Sequence, residues 1–260
     1  MAQGDNLTGE TLPVIVFHYR ARFGHFLRAE ASVSALTYPV PPRTALMGMI
    51  GAVLGLPKDT PQVALRESRI AVRGAVPQTH WHRVKLRKDP PSALSMKVKR
   101  GAKGQKNPAP EMATLNKQEW LFEPDYEIIA SLPGTYHEEF TDRIRNRRWH
   151  YQPCMGLSEM LADLEFVSDG KATLLPPDSD VLCESVACRE EGTSIDGKRT
   201  VEGGVPLAML PLRMPREVTP GRVFSHADYL IERSCRPMPL ISDAAWRIEV
   251  QERERTVIFL

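Results

Sequence analysis

Leu12–Phe17 (LPVIVF) is an unbroken apolar, β-branched run, which predicts a strand buried on both faces. It leads into a polar stretch carrying Arg20, Arg22, His25 and Arg28. After the Pro39–Pro42 punctuation, an apolar helix is predicted from about Thr44 to Leu54. Pro41 and Pro42 cannot sit inside it, so Arg43 or Thr44 stands at its mouth. Lys58–Glu67 predicts a second short helix, with Asp59 as N-cap and Pro61 in the first turn. Arg69–Pro77 alternates as a strand, and so does His80–Arg87, until Asp89-Pro90-Pro91 stops it. Residues 92–110 are rich in Lys, Gly and Pro without apolar periodicity, which predicts a hairpin tip or mobile loop. Gln118–Ile129 predicts two strands around Pro124. Helices are expected at Tyr136–Asn146 and Ser158–Leu161. Further strands are expected at Glu165–Val167, Val181–Val186, Ala208–Met214, Phe224–Glu232, Trp246–Glu249 and Thr256–Leu260, and the polar 189–204 as a hairpin or insertion. Strands outnumber helices, so the fold class is α+β with an antiparallel sheet rather than a doubly wound parallel one.

The chain has 260 residues, 42% hydrophobic and 25% charged, which suits one large domain or a domain with a smaller lobe. No apolar run reaches the roughly 18 residues of a membrane span. The N-terminus has neither a basic nor an apolar leader region, so a cytoplasmic protein is expected. Cys154, Cys183, Cys188 and Cys235 form no CxxC pair and read as reduced thiols; no metal and no cofactor is expected.

Charge distribution changes the picture more than net charge. Residues 80–110 hold nine Lys/Arg and one acid, Asp89, a local +8; against the chain's formal +2, the remainder carries −6. An acidic body with one strongly basic segment suggests a polyanion partner. Within the segment, Trp81 can stack on a base, with Arg83 or Lys85 on the adjoining phosphate. Lys97, Lys99, Arg100 and Lys103 extend the run. His80 and His82 share a strand face but have no third metal ligand.

Gly48, Gly51 and Gly55 recur at helical spacing in the Thr44–Leu54 helix. Each interior glycine costs roughly 0.5–1 kcal/mol relative to alanine, so a close approach to a sheet or to a ligand is expected there. The helix mouth at Arg43 and Thr44 offers free N–H groups and a guanidinium, a possible phosphate site; a helix packed tightly on a sheet with no ligand fits equally. Arg20 and Arg22 share a strand face and can clamp a phosphate or simply be solvated, with His25 and Arg28 alongside. Arg143, Arg145, Arg147 and Arg148 precede Trp149 as a second basic patch, which either touches nucleic acid or a partner or is a solvated helix end.

Tyr38–Leu56 (YPVPPRTALMGMIGAVLGL), preceded by FHYRARFGHFLRAEAS, resembles the N-terminal signature of the fifth family of CRISPR-associated proteins. These are RAMP-superfamily subunits of type I Cascade complexes. Tyr151–Ala162 (YQPCMGLSEMLA) resembles that family's P-x-x-G-x-S-E segment, and the +8 segment lies where the family carries a basic β-hairpin thumb. The resemblance implies a ferredoxin-like (RRM-like/RAMP) domain over 12–170, with helices on one face and a thumb at about 80–117. A β-rich region, 171–260, would complete it or pack on it. It implies a non-catalytic subunit that holds the crRNA 5′ handle, caps the backbone filament and contacts the large PAM-reading subunit. Target DNA would be met indirectly or through the second basic patch. Some relatives cleave precursor crRNA without metal, which leaves an endoribonuclease as the alternative. Tyr19, Tyr38, His18, His25 and Lys117 are the groups available for it, and no Lys-His pair follows the basic segment.

Overall fold

The computed structural model describes residues 9–28, 34–87, 113–189, 192–202, 206–251 and 253–260. Its centre is the apolar run near the N-terminus. β1 (Thr11–Ala21) pairs antiparallel with β7 (Asp125–Ser131) on one side and with β8 (Ala162–Leu174) on the other. β4 (Arg69–Arg73) pairs antiparallel with β7, so four strands run in the order β8-β1-β7-β4. α1 (Arg43–Leu54) connects β1 toward β4, and α3 (Thr135–Arg145) connects β7 to β8.

The unbroken LPVIVF run follows from this position, because β1 buries both faces. Ile15, Phe17 and Tyr19 join the main core with Leu46, Ile50 and Val53 of α1 and Phe140 and Ile144 of α3. Phe17 and Phe140 meet edge to face at 5.5 Å. The alternate residues Val14 and Val16 enter a second cluster with Ala71, Ile129, Trp246 and Phe259.

The sheet continues past β8 into the C-terminal part of the chain. β15 (Ala245–Val250) pairs with β8, and β16 (Arg253–Ile258), β9 (Ser179–Cys183), β14 (Met238–Ser242) and β11 (Ser194–Ile195) follow. The expected division near residue 170 therefore falls inside one strand. The sheet also curls. Leu260 and Val186 donate backbone N–H bonds to Ile70 and Val72 on the outer edge of β4, at 2.8 Å each. β12 (Met209–Val218) and β13 (Phe224–Glu232) form a second ribbon, joined by β10 (Ala187–Cys188). At its base Glu232 is buried. Its carboxylate accepts the backbone N–H groups of Ala208, Ser234 and Arg236 and pairs with the Arg236 guanidinium at 2.8 Å. Burial alone would raise its pKa; the bonds from Arg236 outweigh that and, with those from Ala208 and Ser234, bring it to about 2.

Several expected elements differ. α2 is shorter, Pro61–Ala64, with Thr60 at its N-cap position. Asp59 has a left-handed backbone, φ 67°, and instead accepts the Arg222 guanidinium at 2.8 Å. Ser158–Leu161 is a turn rather than a helix, closed by a bridge between Cys154 and Leu161. β14 has no counterpart in the sequence reading, because Pro237 and Pro239 interrupt its pattern. The polar 189–204 stretch contributes β11 and α4 (Gly197–Glu202). No helix among the described residues is long and apolar enough to cross a membrane.

The glycine-bearing helix and the P-x-x-G segment, far apart in sequence, adjoin. His150 and Tyr151 donate backbone bonds to the Val53 and Ala52 carbonyls at 3.1 and 3.0 Å, and His25 donates to the Met155 carbonyl at 3.0 Å. Gly156, φ 90°, lies where a Cβ would fall 1.9 Å from the His25 carbonyl oxygen, so only glycine fits.

Candidate nucleic-acid interface

β5 (Gln78–Arg87) and β6 (Ala113–Phe122) form a two-stranded antiparallel ribbon, with register partners from Gln78↔Phe122 to Arg87↔Ala113. Short segments Phe23–Gly24 (β2) and Ser34–Ala35 (β3) pair with the far side of β6. Residues directly opposite share a face, and the faces alternate. One face holds His82 stacked on Trp120 at 4.1 Å, with Phe23 against Trp120 at 5.5 Å. The other carries Trp81, Arg83, Lys85 and Lys117.

The second face has the chemistry the basic segment predicted. Trp81 is 50% exposed. Arg83 lies directly opposite Lys117, and both border a cleft of about 510 Å³ with Trp81 and Ser34. Neither cation meets a carboxylate among the described residues. Glu119, opposite Trp81, accepts the Thr37 N–H at 3.2 Å. Lys117 belongs to this face although sequence reading weighed it only as a catalytic group. Its cross-strand register with Arg83 is the signal that places it there, and register depends on a pairing that spans the basic segment. Lys97, Lys99, Arg100 and Lys103 lie outside the described residues.

The other predicted contacts are dispersed. Arg43 is a correction. Its guanidinium turns into the fold and donates to the carbonyls of Arg66, Ser68 and Arg216 at 2.5, 3.1 and 3.3 Å, so three of its five N–H groups are taken up inside the fold and the charge is buried away from a phosphate at the helix mouth. Thr44, half-buried, lines a groove over α1. Arg20 pairs with Glu165 on β8, and with Arg22 it lines a cleft that also holds Glu123, Asp125 and Asp163. The expected two-arginine clamp thus faces carboxylates. Arg22 itself is exposed, 5.7 Å from the Phe23 ring centre, and Arg28 stacks over Tyr38 at 5.6 Å. His25 is buried, and its Nδ1 lies 2.8 Å from the Glu119 carbonyl oxygen.

The second basic patch is paired within the chain. Arg143 meets Glu139 at 2.8 Å and the Val53 carbonyl at 3.2 Å. Arg145 meets Asp169 and lies over Phe166. Arg147 meets Asp163 at 2.5 Å and lies over Trp149, and Arg148 meets Asp142 at 2.6 Å. Four arginines matched by four carboxylates leave little net field beyond the pairs themselves. Among the described residues, no three His, Cys, Asp or Glu side chains gather as a metal site.

A curled, mostly antiparallel sheet backed by helices, with a separate basic ribbon that leaves after β4 and returns into β7, defines a strand-rich α+β protein. The family model described as CRISPR-associated protein (Cas_Cas5) matches residues 14–258, and the chain belongs to that family. A CRISPR protein from Archaeoglobus fulgidus has a similar crystal structure, at 14% identity and a TM-score of 0.50, over 95% of this chain and 100% of that one. A chain of a CRISPR RNA-guided surveillance complex is similar at 12% identity and a TM-score of 0.49, over 87% of this chain and 91% of that one. At these identities the likeness is one of fold. No curated protein matches the chain.

Proposed function

We propose that this chain is the subunit of a type I Cascade complex that holds the crRNA 5′ handle without cleaving it. Family membership supports the CRISPR setting. The backbone subunit, the large subunit and target DNA are partners on the same reading. One observation carries the RNA contact. Arg83 and Lys117 face each other across a strand pair beside a half-exposed Trp81. Like charges directly opposite destabilise a sheet. RNA phosphates neutralise such a pair, and an exposed indole is a platform for an unstacked base. The ribbon is then the thumb. The order β8-β1-β7-β4, with a helix in each crossover, supports a ferredoxin-like core completed by the C-terminal strands.

Three of the groups that could cleave RNA, Tyr19, Tyr38 and His18, support a binding role. Tyr19 and Tyr38 are buried, and the Tyr19 hydroxyl donates to the Cys154 carbonyl at 2.5 Å. Burial raises the Tyr19 pKa, as does nearby Cys154. His18 pairs with Asp125 at 2.8 Å. The test is incubation of the purified protein with labelled repeat RNA in EDTA over a salt series. Intact RNA should be retained, with affinity falling steeply as salt rises. Site-specific cleavage would overturn the non-catalytic role, and absence of binding at low salt the RNA role. Replacing Lys97, Lys99, Arg100 and Lys103 with Ala should flatten the salt dependence.

A further inference from the structure

α1 turns a bare face to solvent at Gly48. That residue is exposed, and a Cβ built on it would meet nothing within 4 Å. The two other glycines have packing reasons. A Cβ at Gly51 would fall 2.2 Å from Pro61 Cγ, and Gly55 caps the helix at φ 78° against His150. Packing therefore leaves the helix-weakening glycine at 48 without an explanation. The space above it is a groove of about 970 Å³, with Thr44, Gly48 and Ala52 along one helix face and the exposed rings of Tyr151 and Phe224 among its other linings.

His25 lines the same groove and is 2% exposed. Its Nδ1 faces a carbonyl oxygen, which can only accept, so Nδ1 carries the proton. Nε2 is then an acceptor, and no donor meets it among the described residues. Burial lowers the His25 pKa, against the pull of Glu119 and Glu159, which keeps that lone pair available at neutral pH. An acceptor left open beside a mostly apolar groove can take a donor from outside. The Glu119 carbonyl that orients His25 sits on β6 two positions from Lys117, so one strand joins the groove to the basic face.

We propose that this groove is a ribonucleotide site, in which His25 Nε2 accepts a 2′-hydroxyl and Gly48 keeps the helix surface low enough for the sugar–phosphate chain to lie against it. The inference rests on the reading of the protein as an RNA-binding subunit. Lys58, exposed at the groove and without a carboxylate partner among the described residues, is the cation available to a phosphate.

The test compares wild type, Gly48→Ala, Gly48→Leu and His25→Asn, using labelled single-stranded repeat RNA and DNA of the same sequence. Gly48→Ala should raise Tm by about 2 °C, because its methyl enters open space. Gly48→Leu should stay folded and bind RNA at least about tenfold more weakly. Asn can keep a donor toward the Glu119 carbonyl, but its shorter side chain places no acceptor at the Nε2 position, so His25→Asn should shrink the RNA-over-DNA preference by about fivefold. A wild type that binds no RNA overturns the functional reading and the groove with it. A wild type that binds while Gly48→Leu binds equally well overturns the groove alone, even if His25→Asn fails to fold. A Gly48→Leu variant that keeps RNA but no longer holds a partner subunit identifies a protein-docking groove, and also overturns it.

Discussion

At the end of α3, four arginines precede a tryptophan, and each meets a carboxylate of the same chain. On the β5–β6 ribbon, Arg83, Lys85 and Lys117 surround a tryptophan and meet none among the described residues. As strings the two regions look alike; as surfaces they differ in kind. The first is a set of exposed ion pairs, each worth a few tenths of a kcal/mol to about 1 kcal/mol, whose fields cancel beyond a Debye length of about 8 Å. The second keeps its field and bears the cost of like charges opposed. A count of cations thus says little about affinity for a polyanion until the carboxylates that the fold brings to them are known.

Arg83→Glu should break this comparison most visibly. It places an acid opposite Lys117, a cross-strand pairing worth about 0.2–1 kcal/mol, so stability should rise while RNA affinity falls about tenfold and the salt slope drops by about 1. Stability and affinity falling together would mean that the pair is structural. The converse change, Asp163→Asn with Asp169→Asn, unmasks Arg147 and Arg145 and should strengthen RNA binding by about threefold at low salt. No gain there would show that the α3 arginines cannot reach RNA even when released. Arg145→Ala and Arg147→Ala, measured singly by urea unfolding and RNA titration, should each cost less than about 1 kcal/mol and leave affinity within about twofold.

A last distinction concerns pH. His137, in the first turn of α3, accepts the Leu132 N–H at Nδ1, 3.3 Å away. Burial lowers its pKa, against the pull of Asp169 and Glu138. The folded chain therefore holds His137 neutral, while the unfolded chain titrates near the ordinary 6.5. His25 is lowered in the same direction. The stability they contribute is complete above about pH 6.5 and is lost as pH falls below it, by at most about 1.4 kcal/mol per group per pH unit. A Tm series from about pH 7.5 to 5.5 should show the drop, and His137→Gln should remove part of it. An unchanged slope in the variant would exclude His137 as a contributor.

Local pattern made much of the fold legible. LPVIVF announced β1, and the Pro41–Pro42 stop with the apolar run behind it marked α1 nearly to the residue. The alternation of His80–Arg87 marked β5, and the glycine spacing with the P-x-x-G segment carried the family resemblance. Periodicity and turn chemistry act over a few residues, so a string of letters suffices for them. Arg43 shows where that stops. At the mouth of a helix it reads as a phosphate ligand, yet Arg66, Ser68 and Arg216 bring three carbonyls around it. Asp163 and Asp169 silence two arginines from another strand, and Lys117 joins Arg83 only through the ribbon's register. The sequence by itself determined which segments become strands and helices and that a strongly basic segment exists. Only the tertiary structure decided which cations stay unpaired, because charges and hydrogen-bonding groups cancel across distances of about 3–4 Å between residues that the chain keeps far apart.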